Sequence, residues 1–75
     1  MVNKEREISK GSPRRLKEIR QQLGLSQLEF AQQLGVKSNT YARWERSDLE
    51  PPLTAELAGE YLLIQLKKKG VKKNG

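Results

Sequence analysis

Apolar residues recur along this chain at helical spacing, in four short runs set apart by glycine or proline. Ser12-Pro13 reads as a cap followed by proline at the first helical position, and Leu16, Ile19 and Leu23 follow at i, i+3 and i+7. Gly24 supplies a left-handed stop, so the first helix is predicted over 13–23. Ser26 and Glu29 have the spacing of a capping box, and Leu25 and Phe30 form the matching hydrophobic staple. A second helix over 26–34 then buries Phe30, Ala31 and Leu34 and ends at Gly35. A third, over 38–46, turns Tyr41 and Trp44 inward above Val36, with Ser38 a better cap than Lys37, and Ser47-Asp48 breaks it. After Pro51-Pro52 a fourth helix over 52–67 carries Leu53, Leu57, Tyr61 and Ile64 on one face. Leu62, Leu63 and Leu66 broaden that face. Lys67, Lys68 and Lys69 suit the negative end of that helix, and 70–75 reads as frayed. No strand pattern competes. The expectation is an all-α bundle of four, at most five, short helices.

Charge narrows the class. The 75 residues carry 15 Lys and Arg against 9 Asp and Glu, a net +6, with both ends and 36–46 basic and 47–66 acidic. That asymmetry suggests a polyanion held on one face, and leaves nucleic acid and an anionic membrane surface both open. The chain has no Cys and no His, which removes disulfides, thiol nucleophiles, zinc fingers and histidine acid–base catalysis. No apolar run approaches a membrane span, and the start is charged rather than apolar, against a signal peptide. A domain this small buries only about 60% of its unfolded surface and has no room for a deep cleft. The organisation expected is a flexible basic arm at 1–11, a folded domain at 12–67 and a basic tail at 68–75. No cofactor, no metal and no enzymatic activity are expected.

The second and third helices are separated only by Gly35, Val36 and Lys37. Small Ala31 allows two helices to cross closely, and Gly35 takes the positive φ of a tight turn. The apolar positions lock the crossing near a right angle, so the outer face of the third helix stands out as a rod. Such a rod matches the ~12 Å width of the DNA major groove.

These residues resemble a known family, the phage-repressor/Cro-like (lambda repressor-like) helix-turn-helix domains. The likeness runs from Leu16-Lys17-Glu18-Ile19-Arg20 to Pro51-Pro52. It takes in Leu23-Gly24-Leu25-Ser26-Gln27, Phe30-Ala31, Leu34-Gly35-Val36 and Arg43-Trp44-Glu45-Arg46. It departs at Lys37, where the family commonly has Ser or Thr, at Ser47, where it commonly has Gly, and in a basic tail where a fifth helix usually follows.

Geometry and resemblance together assign roles. The outward positions of the third helix are Ser38, Asn39, Ala42 and Arg43, expected to contact bases: Arg43 bidentate to guanine, Asn39 to adenine, Ala42 against a thymine methyl. Gln27 sits at a helix N-terminus that favours an anion, and in the family this Gln holds a DNA phosphate. Ser26, Lys37 and Arg46 join it as phosphate contacts, while Arg14, Arg15 and Lys17 add field strength. The resemblance makes Arg20 and Glu45 a partly buried structural ion pair. Trp44 is a core residue rather than a stacking platform. The fourth helix holds more apolar surface than one core needs, which favours a two-fold dimer interface or a protein docking site over a merely buried helix.

The function expected is sequence-specific binding of double-stranded DNA by a transcriptional regulator, a repressor acting as a homodimer on a palindromic operator. An antitoxin-type autoregulator is a subclass. The alternatives are a protein-interaction adaptor using the fourth helix and a membrane-surface module using 61–73. The resemblance implies a cytoplasmic, nucleoid-associated protein of bacterial or phage origin.

Overall fold

The structure is a computed structural model and describes the backbone of residues 10–74 and the side chains of residues 10–68. Most of the arm expected at 1–11 therefore lies outside the described residues. Four helices follow: α1 Pro13–Leu23, α2 Gln27–Leu34, α3 Ser38–Glu45 and α4 Leu53–Asn74. The fold is all-α, and the described residues hold no strand.

The local signals produce the helix ends. The Ser12 hydroxyl accepts the Arg15 N–H at 3.2 Å, with Pro13 opening α1. At α2 the capping box closes both ways: Ser26 Oγ accepts the Glu29 N–H at 3.1 Å, and Glu29 Oε1 accepts the Ser26 N–H at 2.9 Å. Gly24 and Gly35 close α1 and α2 at φ 72° and 77°. The N-cap of α3 is Lys37, with no side-chain bond, and Ser38 is already inside the helix. The end of α3 bends through Ser47 at φ 65°, a left-handed conformation taken here by a residue with a Cβ.

Two features of α4 differ from the sequence expectation. Its helical backbone continues past residue 67 to Asn74. No proline interrupts that stretch, its lysines are good helix formers, and the single Gly70 costs only about 1 kcal/mol against alanine. Its buried face is also a different one. Ala55, Gly59 and Leu63 point inward, whereas Leu57, Tyr61 and Ile64 are 56, 61 and 50% exposed. The cause is close approach. A Cβ on Gly59 would lie 3.1 Å from Phe30 Cζ and 3.4 Å from Ile19 Cδ1, so α4 rests on α1 and α2 through its smallest residues. Acidic side chains on the same side complete the seam. Glu56 accepts the Ser12 N–H at 2.8 Å, and Glu60 takes Arg15 in a two-pronged pair at 2.5 and 2.7 Å.

The core joins Leu16 and Ile19 of α1, Phe30 and Ala31 of α2, Tyr41 and Trp44 of α3, and Ala55 and Leu63 of α4. Phe30 and Tyr41 meet edge to face at 5.3 Å, and Tyr41 and Trp44 at 6.0 Å. Such pairs add about 0.5–1.5 kcal/mol each beyond area burial. Ahead of α1, the Gly11 N–H donates to the Pro51 carbonyl at 2.8 Å, and Lys10 bridges Pro52. The last two residues of the expected arm are thus fastened to the loop that leads into α4.

Candidate nucleic-acid interface

The outward surface of α3 is created by what the helix buries. Tyr41 and Trp44 fill its inner side, with Tyr41 wholly enclosed by Phe30 and Trp44. Asn39 and Arg43, off that side, are exposed, and Ser38 and Ala42 are half-buried at its margin. Val36 packs under the turn, and Ala31, fully buried, lets α2 and α3 cross closely. Two polar residues four apart on a rigid short helix present their hydrogen-bonding groups to solvent together.

Behind this surface lies a polar network. Glu45, its side chain 6% exposed, ends α3 and gathers three donors. Arg20 of α1, 16% exposed, donates from Nε to Oε2 at 2.6 Å and from Nη2 to Oε1 at 3.3 Å. The Tyr41 hydroxyl donates to Oε2 from within the core, and Gln27 Nε2 of α2 donates to Oε1 at 3.0 Å. Arg20 also reaches the Leu25 carbonyl at 2.9 Å, bracing the turn before α2. Burial alone would raise the Glu45 carboxyl. Hydrogen bonds from Arg20, Tyr41 and Gln27, with the Arg20 charge, outweigh it and hold that carboxyl below its ordinary range. Burial pushes the Tyr41 phenol upward, and its bond to Glu45 adds to the shift. Through Arg20 and Gln27, Glu45 ties α3 to both α1 and α2.

The remaining basic and polar candidates divide. Gln27 is exposed at the start of α2, and its amide is oriented by Glu45. Ser26 is exposed, but its oxygen serves the cap of α2. Lys37 is exposed at the start of α3. Arg46 is exposed and pairs with Asp48 at 2.9 Å, a contact of little energetic weight between solvated groups. Arg14 and Lys17 line an open hollow of about 510 Å³ together with Ser12, Pro13, Glu45 and Ser47, next to the network. Arg15 does not join them. It turns to Glu60 and Glu18, so it serves the α1–α4 seam rather than the basic surface.

Sequence reasoning missed the Gln27–Glu45 tether and the Glu56 and Glu60 contacts. A signal for the latter was present, since Glu56 and Glu60 share a helical side with Ala55, Gly59 and Leu63. Small residues and acids on one stripe mark a close approach to a basic partner. The tether had no such signal, because Gln27 and Glu45 are brought together only by the crossing of α2 and α3.

A short helix crossed over a second, braced from behind and polar in front, defines a nucleic-acid-reading class of domain. A helix-turn-helix family model matches residues 16–57, more than half of the chain. The chain belongs to the Cro-type, lambda repressor-like helix-turn-helix family, a DNA-binding domain of the transcription-regulator type. No curated protein and no solved structure matches it. No described helix is long and apolar enough to cross a membrane.

Proposed function

We propose that the protein binds double-stranded DNA sequence-specifically, with α3 lying in the major groove, and represses transcription by occupying a promoter. The observation that carries this reading is the exposure of Asn39 and Arg43 on a helix whose other side is locked by Tyr41 and Trp44. Arg43 pairs with guanine and Asn39 with adenine, while Ser38 and Ala42 make the shorter contacts that their position at the margin allows. Gln27, held by Glu45, donates its free amide hydrogen to a phosphate at the start of α2, and Ser26, Lys37 and Arg46 add backbone contacts. Residues 12–67 form the reading unit, with the basic ends supplying attraction that is independent of sequence. The protein works in the cytoplasm on the nucleoid and needs no cofactor.

One helix reads too few base pairs for useful specificity, so two copies act on a palindromic operator with half-sites about 34 Å apart. An antitoxin-type autoregulator is one form this activity takes. A second reading, a protein adaptor, is favoured by the apolar side of α4 that faces solvent. Selection from a random duplex pool separates the two. A palindromic consensus supports the regulator; a pool that stays random while a protein partner is retained supports the adaptor.

A further inference from the structure

We infer that the Tyr41 hydroxyl, inside the core, is a positioning group for DNA: acting through Glu45, it fixes which end of the Gln27 amide faces a backbone phosphate. The inference deepens the phosphate contact proposed for Gln27 and rests on that reading. The Tyr41 ring is wholly buried and packs edge to face on Phe30 and Trp44. A phenylalanine ring would make both contacts, so packing gives the hydroxyl no task. That hydroxyl donates to Oε2 of Glu45, one helical turn further along α3. Gln27 meets the same carboxylate from the exposed start of α2, with Nε2 3.0 Å from Oε1. Two hydrogen bonds thus join a core phenol to a surface amide.

The chemistry of the carboxylate gives this link a direction. Held below its ordinary range, Glu45 is ionised at neutral pH and accepts only. The Gln27 amide must therefore turn Nε2 toward it, which leaves the second N–H for another acceptor. A rotated amide would set its carbonyl oxygen where Nε2 stands, and that oxygen repels both the carboxylate and a phosphate. Tyr41 decides how the carboxylate itself is turned. With the phenol and Arg20 Nε both on Oε2, Oε1 is the oxygen left for α2, where it takes Gln27 and a longer bond, 3.3 Å, from Arg20 Nη2. Arg20 offers several N–H donors, so without the phenol the carboxylate has more than one way to pair with it. Glu45 follows Tyr41 by four residues on one short helix, so phenol and carboxylate keep their places together.

The free protein and the DNA complex are measured separately. Tyr41→Phe keeps the ring and removes only the hydroxyl. In side-chain amide NMR spectra of the full chain without DNA, the two Gln27 hydrogens should resonate far apart, unlike those of exposed Gln21, Gln22 and Gln32. In Tyr41→Phe they should move toward those references, with far-UV circular dichroism unchanged. A wild-type Gln27 amide indistinguishable from the references overturns the inference without any variant, as does one unmoved by Tyr41→Phe. Duplex binding by Tyr41→Phe should weaken by about two- to tenfold, the worth of one hydrogen bond, and by the same factor for cognate and scrambled duplexes. In a Gln27→Ala background the same substitution should change binding by less than about twofold. An equal loss in that background, or an altered base preference, makes the hydroxyl a brace for α3 alone and overturns the inference. A wild type that binds no duplex overturns the DNA reading and the use made of the link, while the spectra of the free protein still decide the link itself.

Discussion

The α1–α3 head and α4 both face solvent with one side, but they expose opposite chemistry. On α3 the aromatic side is sealed inside and the outward residues are Asn39 and Arg43. On α4 the small and acidic side turns inward and Leu57, Tyr61 and Ile64 are left outside. An outward polar pair on a braced helix suits hydrogen-bonded base edges. An outward apolar line suits another protein surface. The contrast teaches that one small domain keeps its hydrogen-bonding surface and its apolar surface on separate helices, each fixed by what the opposite side of that helix buries.

The largest test of the contrast is truncation. Phe30→Ala removes a fully buried ring touching Tyr41 and should cost about 3–5 kcal/mol, whereas Leu57→Ala should stay within about 0.5 kcal/mol in the dilute monomer. Urea unfolding of both variants checks it, and equal losses would erase the distinction. Next comes the network. Glu45→Ala strands Arg20 and the Tyr41 hydroxyl and should cost about 3 kcal/mol. Glu45 is held below its ordinary range, so its contribution is present above its unfolded value of about 4.3 and is lost as pH falls through the lower folded value. The wild type should therefore lose stability on acidification below about pH 4 more steeply than Glu45→Gln does. Matching acid profiles would show that Glu45 is not the group responsible.

Third, Arg43→Ala should weaken cognate duplex binding by about 1–3 kcal/mol and relax preference at one base pair, with unfolding unchanged because the side chain is exposed. Gel-shift competition against single-base variants reads the preference; a uniform loss across all of them would make Arg43 a phosphate contact instead. The smallest effect is a gain. Ser47 holds φ 65°, where a Cβ is strained, so Ser47→Gly should stabilise by about 1 kcal/mol. A lower melting temperature for this variant would mean that the Ser47 side chain outweighs the strain.

The parts of the molecule readable from sequence are those set by neighbours along the chain. Ser12 with Pro13, Ser26 with Glu29, and the stops at Gly24 and Gly35 act within a few residues, and each stands where its spacing put it. The sealed side of α3 was equally legible, because Tyr41 and Trp44 have no other apolar partners at helical spacing. The orientation of α4 was not. Its inward side depends on Gly59 nesting against Phe30 and Ile19, and on Glu56 and Glu60 meeting Ser12 and Arg15 more than forty residues away. Hydrophobic periodicity ranks Leu57, Tyr61 and Ile64 as core because it weighs side-chain size, while close approach rewards its absence. For the candidate site, residue types and spacing pointed to the outer side of α3, but the link from Gln27 through Glu45 to the buried Tyr41 arises only from the fold.

The central claim is that α3 meets the DNA bases with its outer side. Amide and side-chain NMR shifts recorded while a pool-selected duplex is titrated into the full chain test it most directly. The account predicts the largest changes at Asn39 and Arg43, smaller ones at Gln27 and Lys37, and none at Leu57 or Tyr61 beyond those caused by dimerisation. Changes centred on α4, with Asn39 and Arg43 unmoved at saturation, would contradict it.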